Sequence, residues 1–145
     1  MSFVFRLQRY QTWLAEQRRL LEETIHLCRA ERQKAEHRCR EWEDECRRLI
    51  RAAEKELQTG IAVEGFLFQR LLLDQATRRL EQERETLCRL EKQLAELLAE
   101  WRALYQRQKA VDRLFQRRFG AYLREVERKE QRALDEWAAV RGGEA

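Results

Sequence analysis

Apolar residues recur every seven positions through the first third of the chain. The stripe contains Leu7, Leu14, Leu21, Cys28, Ala35, Trp42 and Leu49. A spacing of seven places side chains on one face of a helix and is typical of coiled coils. A companion stripe holds Ile25, Cys39, Cys46 and Ala53, and it is interrupted at Gln11, Arg18 and Arg32. The pattern predicts helix one over about residues 3–58, with a rather polar seam.

Two stronger stripes follow in the second half of the chain. The first contains Leu73, Leu80, Leu87, Leu94 and Trp101, and the second contains Ala76, Leu90, Leu97, Leu104 and Val111. Glu83 is the one polar position in the second stripe. Helical spacing continues through Phe115, Phe119, Tyr122, Val126, Ala133, Trp137 and Val140. These stripes predict helix two over about residues 66–140.

Between the two helices lie Gly60 and Gly65, in a chain that has five glycines and no proline. Gly60 can adopt the left-handed conformation that ends a helix, and Gly65 permits a second sharp change of direction. We therefore expect a turn over about residues 59–65. The absence of a capping Ser, Asp or Asn leaves the start of helix two open, anywhere from Ile61 to Phe66.

Together these elements predict an all-α protein: a long antiparallel two-helix coiled-coil hairpin with an extended C-terminal helix, forming a single domain over residues 1–145. Pairing outward from the turn places residue i opposite roughly residue 124 − i. The first residues of helix one then lie near residues 117–121. Helix two extends beyond that level.

Composition supports the same fold, because 39% charged and 43% hydrophobic residues leave little material for a globular core. Basic and acidic residues are interleaved and give a net charge of only +4, so the surface does not predict a nucleic-acid partner. One basic cluster stands out, with Asp112 as the only acid across it. It contains Arg102, Arg107, Lys109, Arg113, Arg117 and Arg118. Either a solvated helix flank or docking into an acidic opening of another protein explains this cluster.

Catalytic and metal-binding patterns are missing from the sequence. Ser2 is the only serine, and there is neither a glycine-rich phosphate loop nor an H-E-x-x-H motif. The pairs His26 with Cys28 and His37 with Cys39 have the wrong geometry for zinc, since residues two apart point to nearly opposite sides of a helix. No apolar run is long enough to span a bilayer. We expect a protein that is not an enzyme, holds no cofactor or metal, and does not insert into the membrane.

Two apolar surfaces lack an obvious partner within the chain. Beyond Gly120, helix two carries a stripe ending in Trp137, which suits a partner protein, folding on binding or self-association in a dimer. Near the turn, six apolar residues within eight positions span most of the helix circumference, so some must be exposed or covered by a partner. They are Phe66, Leu67, Phe68, Leu71, Leu72 and Leu73. The alternative is a small local core in which Ile61 and Val63 fold over the excess.

The chain resembles the flagellar FliJ family and its injectisome relatives of the YscO type. The resemblance is carried by the opening FVFRLQRY, by Gly60-Ile61-Ala62 with the apolar run from Phe66 to Leu73, and by the ending Glu130-Gln131-Arg132-Ala133-Leu134-Asp135-Glu136-Trp137-Ala138. It implies a cytoplasmic stalk and adaptor protein of a type III export apparatus, associated peripherally with the inner membrane. Its partners would be a hexameric export ATPase, the cytoplasmic linker of the export-gate membrane protein and export chaperones.

Candidate binding residues follow from this resemblance and from the unpartnered apolar surfaces. For the ATPase they are Phe3, Phe5, Tyr122, Val126, Glu130, Gln131, Asp135, Glu136 and Trp137. For the export gate they are Phe66, Leu67, Phe68, Leu72 and Leu73. Two alternative functions remain open from the sequence: a coiled-coil homodimeric scaffold or secretion chaperone, and a central-stalk subunit of a rotary ATPase. For Phe3 and Phe5, the alternative to a contact with a partner is that helix two covers them.

Overall fold

Two long helices pack against each other in the computed structural model, which describes residues 2–60 and 62–143. Helix α1 spans Gln8–Thr59 and helix α2 spans Val63–Gly143, and no strand occurs within the described residues. The helices are antiparallel and close to the expected register, since Gln11 bonds to Asp112 and Arg38 bonds to Glu83. The all-α prediction is confirmed.

The first residues of the chain are not helical, in contrast to the predicted start near residue 3. Helix α1 begins at Gln8, whose backbone NH donates to the carbonyl of Phe5 at 3.1 Å. On a helix, Phe3 and Phe5 would point to nearly opposite sides, whereas extended backbone places residues two apart on the same side. Both rings contact Phe115 of α2. Tertiary packing of the two rings therefore explains why the helix begins late.

The connection between the helices is tighter than predicted. Gly60 has a φ of +81°, the left-handed conformation expected of it, and it follows the last residue of α1 directly. Gly65 is wrong as a second bend, because α2 begins at Val63 and Gly65 lies in its first turn. Helix continues through it because a glycine costs only about 1 kcal/mol in a helix. Ile61 lies outside the described residues.

Contacts group the chain into two compact units, each with one stretch from each helix. The central unit is Leu21–Glu100, and the terminal unit is Met1–Leu20 with Trp101–Ala145. In the central unit the buried residues are small or medium in size. They are Ile25, Cys28, Ala35, Cys39, Ala76, Leu80 and Leu94, together with the carboxylate of Glu83.

The terminal unit has a different interior, built around Phe5, Leu14 and Val111. Leu14 is completely buried. Two of the polar residues that interrupt the α1 stripe bond across to α2: Gln11 Nε2 donates to Asp112 Oδ1 at 2.7 Å, and Arg18 Nη1 donates to Gln108 Oε1 at 3.0 Å. The polar interruptions seen in the sequence are therefore helix-to-helix hydrogen bonds here.

Candidate partner-binding surfaces

An aromatic cluster joins the start of the chain to α2 within the terminal unit. The ring of Phe3 lies 5.6 Å from Phe115, 5.3 Å from Phe119 and 5.4 Å from Tyr122, measured between ring centroids. Phe5 meets the Phe115 ring edge-on at 5.3 Å and is 95% buried, since its exposure is 5%. Edge-on and tilted aromatic pairs of this kind add to the stability gained by burial. Phe3, Phe5 and Tyr122, three of the predicted ATPase contacts, are thus brought together.

Beyond this cluster, α2 continues as a segment that we call the C-terminal arm, residues 123–143. From residue 127 to residue 143 every position is exposed. Leu134 and Trp137 are 61% and 58% exposed, although both are large apolar side chains. They line an open groove with Glu130 and Ala133. Such a stripe on one face of a helix is suited to the groove of a partner.

Polar contacts run along the same arm. The guanidinium of Arg141 lies 4.4 Å from the centroid of the Trp137 ring, a cation–π contact. On a neighbouring face, Gln131 Nε2 donates to Asp135 Oδ1 at 3.1 Å. These contacts fix the orientation of the indole and of one carboxylate before any partner arrives.

The predicted ATPase residues thus fall into three groups. Phe3, Phe5 and Tyr122 belong to the aromatic cluster, while Glu130 and Trp137 share the groove. The others are Val126, which is half-buried, Gln131 and Asp135, which bond to each other, and Glu136, which points about 100° around the helix from Asp135. Leu134 and Arg141 were missed. Leu134 lies four residues after Glu130 and three before Trp137, and Arg141 lies four residues after Trp137. This helical spacing was the available signal.

A second exposed apolar surface lies beside the turn, within the central unit. We call it the turn-end patch: Leu57, Val63, Leu67, Phe68 and Leu71, all more than half exposed. Of the predicted gate residues, Leu67 and Phe68 belong to the patch, whereas Phe66, Leu72 and Leu73 are half-buried. Val63 is 75% exposed and so does not fold over its neighbours. Leu57, near the end of α1, was missed as a member of this patch, because only the turn brings it beside the start of α2.

A family model described as flagellar FliJ protein matches residues 6–144. The chain belongs to the FliJ family. FliJ membership makes it a component of the flagellar export apparatus. The fold of two packed helices is consistent with this family. No curated protein and no solved structure matches the chain.

In this member of the FliJ family, one carboxylate is buried between the helices. Glu83 is 7% exposed and accepts a hydrogen bond from Arg38 Nε at 2.9 Å, while Arg79 Nη2 lies 3.6 Å from its other oxygen. The bond to Glu83 raises the pKa of the Arg38 guanidinium. Burial raises the pKa of the neighbouring Cys39 thiol, which keeps the thiol protonated and unreactive. This region of the FliJ fold is structural.

Two classes of site do not occur within the part of this FliJ chain that the structure describes. No group of three His, Cys, Asp or Glu side chains is placed to hold a metal ion. No described helix combines the length and apolar character needed to cross a bilayer.

Proposed function

We propose that this FliJ-family chain is the stalk and adaptor of the flagellar export apparatus. In this proposal the C-terminal arm enters the hexameric export ATPase and promotes its assembly and activity, and the turn-end patch binds the cytoplasmic linker of the export-gate membrane protein. Export chaperones are a further class of partner. The chain itself catalyses no reaction, which agrees with the lack of catalytic motifs.

The observation that carries the proposal is the exposed apolar stripe of the arm. Leu134 and Trp137 stay more than half exposed in the fold of this chain. Burying each against a partner would contribute about 2–3 kcal/mol. An amphipathic helix that waits for a groove is a recurring mode of protein recognition.

The charges of the arm support contacts that form and break repeatedly. Basic and acidic residues alternate along it: Arg124, Glu125, Glu127, Arg128, Lys129, Glu130, Arg132, Asp135 and Glu136. Exposed ion pairs contribute at most about 1 kcal/mol each. A stalk held by such pairs would not stall an ATPase that changes state during hydrolysis, since no single state is bound very tightly.

The aromatic cluster has a supporting role in this proposal. Phe5 is buried and offers little surface to a partner, and Phe3 is half-buried. Their rings hold the start of the chain against Phe115 and Tyr122. We therefore assign direct ATPase contacts to the arm and assign Phe3 and Phe5 to positioning its first turns.

Deletion of residues 127–145 tests the arm, because it leaves the aromatic cluster intact. We expect the shortened protein to keep its thermal unfolding transition and to lose stimulation of the purified export ATPase. Leu134→Asp should reduce stimulation in the same way. Its matched control is Ala139→Asp, which places the same group on the opposite side of the arm. Normal hexamer formation and hydrolysis with the deleted protein would move the ATPase contact to the turn-end patch.

The gate contact is tested separately with Phe68→Ala and Leu71→Ala. Both side chains are more than half exposed, so we expect weaker binding to the purified gate linker with little change in thermal unfolding. Leu20→Ala is the control, as an exposed leucine outside the patch. A large loss of stability in the patch variants, with normal linker binding, would mean that the patch is part of the fold.

Self-association is the second candidate function, and the same exposed stripe favours it. A second copy of the chain could cover Leu134 and Trp137 in a homodimeric scaffold or secretion chaperone. Sedimentation of the purified protein at micromolar concentration separates the two. A monomer supports the stalk, and a dimer that Leu134→Asp dissociates supports the scaffold.

A further inference from the structure

One face of α2 in the terminal unit carries only positive charge. Its members are Arg102, Gln106, Lys109, Arg113, Arg117, Gly120 and Arg124. At 3.6 residues per turn they fall within an arc of about 80° and extend over about 33 Å. Except for half-buried Gly120, all of them are exposed. We call this surface the basic face.

No carboxylate neutralises the positive charge of the basic face within the part of the chain that the structure describes. Asp112 is the only acid between residues 102 and 124, and it accepts a hydrogen bond from Gln11 of α1 instead. No carboxylate among the described residues pairs with the five cations of the face. In the central unit, by contrast, Arg47 pairs with Asp44 and Arg84 pairs with Glu43. Lys109 Nζ lies 4.9 Å from the centroid of the Tyr105 ring, a contact that leaves its charge in place. Five cations without a carboxylate partner attract an acidic surface over a distance of about 8 Å at physiological salt.

Gly120 gives an independent reason to expect a close contact on this face. It lies inside a helix, where glycine is about 1 kcal/mol less favourable than alanine. Its φ is not positive, and a methyl group added there would meet no atom within 4 Å. Nothing within the described chain therefore requires glycine at this position. A missing side chain in a groove lined by Arg113, Arg117 and Arg124 lets another backbone come near.

We propose that the basic face is the docking site for an acidic α-helix of a partner protein, which lies along α2 and comes closest at Gly120. A helix with carboxylates at positions i, i+4, i+7 and i+11 presents them on one face over about 17 Å, opposite cations that follow one another here at intervals of seven, four, four and seven residues. The face lacks the exposed aromatic rings that stack on single-stranded RNA. Of the residues that line the groove, Leu123 is the one exposed apolar side chain, whereas amphipathic helices enter lipid with a whole apolar face. The basic face shares Arg124 with the C-terminal arm and is separate from the turn-end patch.

The test uses the full chain and a fluorescent synthetic helix with glutamates at i, i+4, i+7 and i+11 on an alanine background. Anisotropy measures its affinity. The triple variant Lys109→Glu, Arg113→Glu, Arg117→Glu should bind the peptide about tenfold more weakly or worse. The matched control, Arg29→Glu, Arg40→Glu, Arg51→Glu, makes the same change in net charge on exposed positions of α1 and should change the affinity less than about threefold.

Two further arms test the helix and the close approach. A peptide of the same composition with two central prolines should bind about tenfold more weakly, because proline breaks the helix. Gly120→Leu should also weaken binding of the helical peptide while circular dichroism stays unchanged. The proposal is overturned if the control triple variant loses as much affinity as the test variant, or if the proline peptide binds equally well. It is also overturned if phosphatidylglycerol vesicles or single-stranded RNA compete at lower concentrations than the peptide.

Discussion

The central and terminal units are built from the same two helices but use their residues in opposite ways. In the central unit the interior is small, with Ala35 and Ala76 facing the partner helix, and many surface charges are paired. In the terminal unit the interior is aromatic, one face keeps its cations unpaired, and the arm exposes Trp137. The same helix pair thus combines a stretch in which surface charges are paired with a stretch in which cations and large apolar side chains stay exposed.

The largest expected effect breaks the interior of the terminal unit. Leu14→Ala removes a completely buried side chain and should lower the free energy of unfolding by about 2–5 kcal/mol. Urea titration followed by circular dichroism measures it. Leu27→Ala, at a position of α1 that is 66% exposed, is the control and should change stability by less than about 0.5 kcal/mol. Equal effects would mean that Leu14 is not part of a core.

A smaller effect is expected at the charged contact of the central unit. Arg38→Leu removes the closest partner of buried Glu83 and should lower the midpoint of thermal unfolding, because the carboxylate keeps only the more distant Arg79. Adding Glu83→Leu should restore the lost stability, since a buried ion pair replaced by apolar residues is often neutral or stabilising. A double variant less stable than Arg38→Leu would show that the pair itself contributes most of the stability.

Gly60 in the central unit and Gly120 in the terminal unit sharpen the comparison further. Gly60 has positive φ, so Gly60→Ala should destabilise the protein by about 1 kcal/mol. Gly120 has ordinary helical geometry and open space around it, so Gly120→Ala should stabilise the protein by up to about 1 kcal/mol. Thermal unfolding of both variants is the measurement. A loss of stability in Gly120→Ala would assign that glycine to the fold and would remove one support for a close contact.

The smallest effect concerns a kind of ion pair that occurs within each unit, between a glutamate and an arginine three residues later on α1. Hydrogen bonds from Arg19 and Arg48 lower the pKa values of Glu16 and Glu45, respectively. A carboxyl whose pKa is lower in the folded state stabilises the protein above its unfolded pKa, and this contribution disappears as the pH falls through the folded value. Arg48→Gln should return the Glu45 pKa towards its usual range in an NMR titration, with thermal unfolding at pH 7 almost unchanged. An unmoved Glu45 pKa would contradict the bond.

Much of this architecture could be predicted from periodicity. The apolar stripes identified both helices and their register, and Gly60 identified the end of α1, because these features depend on local geometry. The extended start at Phe3 and Phe5 could not be found in this way, since it depends on rings more than a hundred positions away. The predicted bend at Gly65 was wrong because a glycine weakens a helix without ending it. Glu83 interrupts the apolar stripe of α2 in the sequence, and its partner Arg38 is identified only by the packing of the two helices.

The candidate surfaces were only partly predictable for a related reason. Sequence patterns showed an excess of apolar residues near the turn but not which of them face outward. Exposure separates Leu67 and Phe68 from half-buried Phe66 and Leu72. In the arm, the stripe identified Trp137, whereas the groove also required Leu134. Whether a side chain is in contact or exposed depends on how both helices pack, whereas the apolar pattern of a sequence segment describes only one helix.

The exposure of the arm affects how tightly a partner can be bound. Residues 127–143 form a stretch of about 25 Å without support from α1, close to the length at which isolated helices are marginal in water. Where only a fraction of molecules holds this stretch in helical form, the measured affinity is the intrinsic affinity multiplied by that fraction. Substitutions that favour helix on the side of the arm away from the groove would then tighten binding without touching the partner. The backbone of the arm thus becomes a means of adjusting affinity that is separate from its contact residues.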